Sequence, residues 1–203
     1  IEAVADNVDA QLINDSYSVG VTGGTLAMLL NDDGTRAFEA TGVLNLSGGD
    51  FANAFATAVV VRENTTTTDY SADPLTIAID GLSADLTTAL NVQSVSVTNL
   101  DFEISGFVDI SGDFGFRKSV DRIEAAAVNV AASMSAGNFE VGLSAGTLNL
   151  ILNADGTKAL SASGAFEFEG NGFLTASAAS SSVEFNDTGS DVNQDITIEG
   201  VTT

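Results

Sequence analysis

Phe38-Glu39-Ala40-Thr41-Gly42-Val43-Leu44-Asn45-Leu46 and Leu160-Ser161-Ala162-Ser163-Gly164-Ala165-Phe166-Glu167-Phe168 are the two stretches on which the fold turns. In the first, Phe38, Ala40, Gly42, Leu44 and Leu46 alternate with Ala37, Glu39, Thr41, Val43 and Asn45. In the second, Leu160, Ala162, Gly164, Phe166 and Phe168 take the apolar positions, and Ser161, Ser163 and Glu167 lie between them. A period of two is the spacing of a half-buried β-strand, because successive side chains of a strand leave opposite faces. Each run follows turn text, Asn31-Asp32-Asp33-Gly34 or Asn153-Ala154-Asp155-Gly156. There Asn can start an Asx turn and Gly can accept a positive φ, which predicts a tight hairpin.

The two stretches belong to a longer match. Residues 1–64 align without a gap onto 123–186, at an offset of 122, with 26 identities. Ile1-Glu2-Ala3 answers Ile123-Glu124-Ala125, and Gly24-Thr25-Leu26 answers Gly146-Thr147-Leu148. A gapless match of that length reads as duplication, and an even offset preserves strand facing. After a small deletion, Ile79-Asp80-Gly81-Leu82 answers Ile198-Glu199-Gly200-Val201. The expected organisation is one whole β unit, 1–122, and a partial second unit, 123–203. Ile1 falls inside the repeated text with no signal peptide ahead of it, so the expectation is a mature or excised piece of a longer array, with a fold assembled from two unequal halves as the alternative.

Working outward, alternation recurs at Phe51 to Val61, Leu75 to Ile79, Val95 to Ile104 and Val141 to Ile151. Ile1 to Leu12 and Ile123 to Ala132 contain Ala and Glu, which also suit a helix, but their valines favour strand. Seven or eight strands per unit are expected, joined mostly as antiparallel hairpins. A weaker echo, Thr41 to Gly48 with Ser105 to Gly112, is followed in each case by an Asp-Phe pair. The predicted class is all-β, with antiparallel sandwich-like tandem units of about 122 residues. An extended β-solenoid is the alternative, although its rungs normally repeat over far fewer residues.

Composition narrows the function. The 203 residues are 44% hydrophobic, enough to bury a core, yet the apolar side chains are mostly small, with 12 Phe, 2 Tyr and no Trp. Acids outnumber bases 28 to 6, for a net charge of −22. Nucleic acid is excluded as a partner, because phosphate neutralisation needs clustered Lys and Arg. Anionic membrane surfaces are disfavoured for the same reason, and no apolar run approaches the ~20 residues of a spanning helix. With neither His nor Cys, the chain can build no Ser-His-Asp triad, Cys-His dyad, or imidazole or thiolate zinc site. There is no phosphate loop and no dinucleotide fingerprint. No catalytic or cofactor-binding residue emerges, and the chain is not expected to be an enzyme.

Calcium is the one cofactor candidate, since it takes oxygen ligands and the predicted turns are rich in Asp. The candidate acids are Asp32 with Asp33, Asp69 with Asp73, and Asp187 with Asp191 and Asp195, although Asp also favours turns for its own sake. No segment matches an EF-hand loop, and Ala154 replaces Asp32 in the second copy. Asn64-Thr65-Thr66-Thr67-Thr68 is expected to be a solvent-exposed loop. Asn14, Asn45, Asn64 and Asn186 each open an Asn-x-Ser/Thr tripeptide, the acceptor pattern for N-glycosylation.

The strand phrases Ile104-Ser105-Gly106-Phe107-Val108-Asp109-Ile110-Ser111-Gly112-Asp113-Phe114 and Gly146-Thr147-Leu148-Asn149-Leu150-Ile151-Leu152-Asn153-Ala154-Asp155-Gly156-Thr157 resemble the repeat regions of giant secreted adhesin-like and surface-layer-like proteins of aquatic bacteria. The resemblance implies an exported, structural, calcium-tolerant or calcium-dependent protein at the cell surface. The calcium-binding nonapeptide of toxin-type repeats is missing, because Ser47-Gly48-Gly49-Asp50-Phe51 lacks its Gly-Gly-x-Gly-x-Asp run. The expected function is a structural or interaction repeat of an extracellular surface, stalk or filament protein. Its expected partners are neighbouring copies of itself or adjacent repeats. The alternative is a calcium- or glycan-binding adhesin module.

Overall fold

A computed structural model describes residues 1–14 and 17–203, and the glycosylation tripeptide beginning at Asn14 runs into Asp15 and Ser16, outside the described residues. The chain is all-β, and both segments with helix-forming residues are strands. One antiparallel sheet takes ten strands in the order β1-β2-β3-β4-β7-β8-β9-β10-β11-β12. These are β1 (Glu2–Asn14), β2 (Tyr17–Leu30), β3 (Arg36–Gly48), β4 (Ala52–Asn64), β7 (Gln93–Ile104), β8 (Val108–Lys118), β9 (Arg122–Ala136), β10 (Phe139–Asn153), β11 (Lys158–Gly170) and β12 (Leu174–Asn186). Two small hairpins stand apart, β5 (Leu75–Ile79) with β6 (Leu82–Leu86), and β13 (Thr197–Ile198) with β14 (Val201–Thr202). The large sheet is open, with β1 and β12 at its edges, and it runs without interruption across residue 122, where β8 pairs with β9.

The turns form for the reasons their residues suggest. Between β2 and β3, the Asn31 amide donates to the Thr35 carbonyl at 2.9 Å and the Gly34 amide to the Asn31 carbonyl at 3.0 Å. Asn153, Gly156 and Thr157 repeat this between β10 and β11 at 2.8 and 3.0 Å. Mid-strand, Asn7, Gly23, Asn99, Asn129 and Ala145 hold φ between 48° and 59° at shifts of register. Each is a β-bulge, where an extra residue is accommodated without moving the following side chains to the wrong face.

Paired residues of a ladder share a face, so the register separates the two sides of the sheet. One side carries Phe38, Ala40, Leu44 and Leu46 with their neighbours Val61, Val95, Phe116 and Leu160, and these stay half-buried or exposed. The other carries Val4, Ala27, Ala37, Arg62, Ser94, Gly115, Ala126, Ile151 and Ala159. Both hairpins sit on this second side, and both buried clusters lie beneath them. The first joins Ala27 and Ala37 to Tyr70, Ile77 and Leu86; the second joins Ala126, Ile151 and Ala159 to Ile196, Ile198 and Val201. The more polar face of β3 is therefore the covered one. Alanine and glycine there let the hairpins approach the backbone closely. Burying Ile77, Leu86 or Ile198 contributes about 1.5–3 kcal/mol each.

Thr65, Thr67 and Thr68 are exposed, as expected of a surface loop, but Asn64 and Thr66 turn inward. Asn64 and Thr66 are buried. The Asn64 side-chain amide donates to the carbonyls of Thr68 and Thr88 at 2.8 and 3.1 Å, and its carbonyl oxygen accepts from the Thr66 amide and hydroxyl at 2.9 and 2.8 Å. These bonds stitch the path from β4 into the first hairpin, and they leave Asn64 no free amide to carry a glycan in the folded chain.

Candidate functional site

The strands run between two unlike ends. At one end lie the hairpins and all six basic residues, on β3, β4, β8, β9 and β11. Five of the six pair there: Arg36 with Glu63 (2.7 Å), Arg62 with Glu39 (2.7 Å) and Glu199, Arg117 and Arg122 with Glu124 (2.5 and 2.7 Å), and Lys158 with Asp187 (3.7 Å). Arg62 is the keystone of this end. Glu39, one of its partners, also accepts from the amide and hydroxyl of Thr87 at 3.0 and 2.9 Å, directly after the first hairpin. Its other partner, Glu199, is the turn residue of the second hairpin and accepts from the Ser94 hydroxyl at 2.7 Å. One guanidinium on the sheet thus ties both hairpins down. Burial pushes the Glu39 carboxyl up, but Arg62 and Thr87 together outweigh it and hold Glu39 below its ordinary 4.5. The Arg36 guanidinium holds Glu63 down in the same way, opposed by burial and assisted by Gln93.

The opposite end carries acids but no bases, and its turns display Phe51, Phe107 and Phe173, with Phe139 beginning β10 beside them. These four phenyl rings are between 45% and 94% exposed. On the hairpin side, toward this end, a trough of about 690 Å³ is lined by Asp101, Asp109, Asp113, Glu140, Glu167 and Glu169. Asp113 is spoken for, accepting from the Asn99 amide at 2.7 Å and the Asn129 side chain at 2.9 Å.

Several of the acids proposed for calcium are engaged within or beside their own turns, and Asp191 and Asp195 line one cavity. Asp33 turns back on Thr35, accepting from its amide at 2.9 Å and its hydroxyl at 2.6 Å. Asp69 does the same with Ser71, and Asp187 accepts from the Lys158 amide. The hydroxyls of Thr35 and Ser71, followed by their amides, hold Asp33 and Asp69 below the usual carboxylate range. Among the described residues no group of three or more acids converges as a metal site, and no helix is long and apolar enough to cross a membrane.

Sequence reasoning gave no role to Arg62, Glu39 or Glu199. The available signal was scarcity, because in a chain with six bases each one has a choice of carboxylates. It did single out Ile79-Asp80-Gly81-Leu82 and Ile198-Glu199-Gly200-Val201, which are the turns of the two hairpins. Asp80, Gly81, Glu199 and Gly200 all hold φ between 50° and 89°, the left-handed pair that a two-residue hairpin turn requires.

No family model, no curated protein and no solved structure matches the chain.

Proposed function

We propose that this chain is a structural and interaction module of an extracellular bacterial surface, stalk or filament protein, built from tandem β units spanning 1–122 and 123–203, and that it works by length, stiffness and display rather than by catalysis. The observation that carries the reading is the recurrence of one arrangement along a single sheet. β1 to β4 and β9 to β12 occupy segments 122 residues apart, and a hairpin with the same turn sits on the same side of each. Asn7 and Asn129, and Gly23 and Ala145, bulge at matching positions. Further support comes from composition: a net charge of −22 suits a saline exterior, where cations screen the self-repulsion. The half-exposed apolar face, with Phe116 51% and Val183 61% exposed, is what a second sheet would cover in a sandwich-like assembly.

The first unit gives the sheet six strands, β1 to β4, β7 and β8. At about 4.8 Å per strand, each added unit lengthens it by ~29 Å before twist. Joining one, two and three copies of 1–122 in tandem and measuring their maximum dimension by small-angle X-ray scattering tests this. Growth of about 29 Å per unit supports the reading, and growth as a compact globule refutes it.

A second reading, the adhesin module, is favoured by the row of exposed phenylalanines Phe51, Phe107, Phe139 and Phe173 at one end of the sheet. Calcium or a glycan would be its ligand. Melting in chelator and in millimolar calcium at matched ionic strength, and binding to a glycan panel, separate the two.

A further inference from the structure

The two hairpins cover the same side of the sheet but not corresponding strands. The β13–β14 hairpin lies across β8 and β9, with the Ile198 side chain directly over Gly115 of β8, where an added Cβ would meet the Ile198 Cβ at 2.8 Å. Ile198 and Val201 are accordingly 1% and 4% exposed. Their counterparts in the first hairpin, Ile79 and Leu82, are 37% and 44% exposed. That hairpin lies over β1, β2 and β3, and β1 is where the sheet stops.

The strand beneath shows the same vacancy. Glu124 of β9 is 3% exposed and held by Arg117 of β8 as well as by Arg122. Glu2, at the matching place on β1, is exposed. Asn129 reaches across to Asp113 of β8 at 2.9 Å. Asn7 keeps both the residue type and the bulge, with no strand beside it to reach. At the other edge the pattern is absent: β12 carries Ser177 and Ser180 to Ser182 where β4 carries Phe55 and Ala58 to Val60, as suits a strand left open to water.

We infer that the β1 edge is a docking site for a β7–β8-type hairpin from another repeat unit, with the Ile79–Leu82 turn closing over its Gly and Glu2 pairing with its Arg. The register follows from the β8–β9 ladder, in which Gly115 faces Ala126 and Arg117 faces Glu124. The incoming strand sets its Gly opposite Val4 and its Arg opposite Glu2. Backbone hydrogen bonds supply the affinity and the Gly-x-Arg spacing supplies the selectivity, a strand-addition mode of recognition. The inference rests on the repeat-module reading and names its partner.

The test places a second copy of Asn91 to Arg122 ahead of Ile1 in the full chain, recreating the Arg122-Ile123 junction. Because Ile1 and Leu30 exchange backbone hydrogen bonds, the alternation of the ladder turns the amides of Glu2 and Val4 away from β2. Their hydrogen exchange is expected to slow about 100-fold or more in the extended chain. Leu82→Ala, which changes little in the original chain, should lower the melting temperature of the extended one. Gly115→Val in the added hairpin should restore fast exchange at Glu2 and Val4. Unchanged exchange in an extended chain whose circular dichroism shows added strand overturns the inference. If units joined in tandem still lengthen by the expected increment, only the strand assignment falls. If protection appears while tandem units collapse into a globule, the docking site stands and the filament reading falls.

Discussion

Replacing Arg62 by Met should unfasten both hairpins at once. The Arg62, Glu39 and Glu199 side chains are only 20%, 12% and 11% exposed, so removing the cation strands two carboxylates in a poorly solvated cleft. Breaking a buried ion pair from one side costs about 3–5 kcal/mol. Residual exposure places this case near the lower figure, about 3 kcal/mol, and a chain of this size loses about 2–4 °C of melting temperature per kcal/mol. The expected fall is therefore about 6–12 °C at pH 7, followed by circular dichroism, and adding Glu39→Gln or Glu199→Gln to the variant should recover part of it. The pH dependence has a definite sign. In the native chain Glu39 is depressed below its ordinary 4.5, so its contribution is present above that value and lost as pH falls through the folded value. Without Arg62 only Thr87 is left to oppose burial and the folded value rises from its depressed position, so the variant's penalty shrinks on acidification and the two melting curves draw together as pH falls. A loss under about 1 kcal/mol, the scale of a surface pair, or a gap that stays constant with pH, would refute the argument.

Gly115→Val should drive Ile198 off the sheet, costing about 1–3 kcal/mol and accelerating hydrogen exchange in β13 and β14, whereas Gly142→Ala, whose Cβ meets nothing nearer than 3.8 Å, should leave β10 intact. Asn64→Ala should cost about 2–3 kcal/mol, because several buried partners lose their bonds together; the same change at exposed Asn186, which makes a similar set of bonds, should cost under about 1 kcal/mol, and equal losses in denaturant melts would count against burial as the cause. Asp33 and Asp155 are held below 3.8, chiefly by the hydroxyls of Thr35 and Thr157. Each turn is therefore supported above that value and released as pH falls through the lowered one, which amide shifts of Thr35 and Thr157 in an NMR titration should follow. Raising monovalent salt from about 10 to 150 mM shortens the screening length from ~30 to ~8 Å and should raise the melting temperature of a chain with net charge −22; a fall would show that the ion pairs outweigh the self-repulsion.

The elements legible without coordinates are those whose cause is local. Alternation in Phe38 to Leu46 sets a strand whatever lies above it, and Asn31 to Gly34 closes a turn with its own side chains. Leu75 to Ile79 is β5 to the residue. Local text could not say which face of β3 is covered, because that depends on where a hairpin some 40 residues later in sequence lands. Small Ala27 and Ala37 admit that hairpin, and the larger Phe38 and Leu44 on the other face do not. The same limit explains Asn64 and Thr66, which composition assigns to solvent with their neighbours and which the bonds of Asn64 to Thr68 and Thr88 hold in the interior. It also explains Arg62, whose partners lie 23 and 137 residues away in sequence. Period and turn chemistry determine strands, register and hairpins, since these depend on neighbours along the chain. Only the tertiary structure decides a single open sheet, its clamped end and its unfilled edge, because those follow from which distant side chains exclude water together.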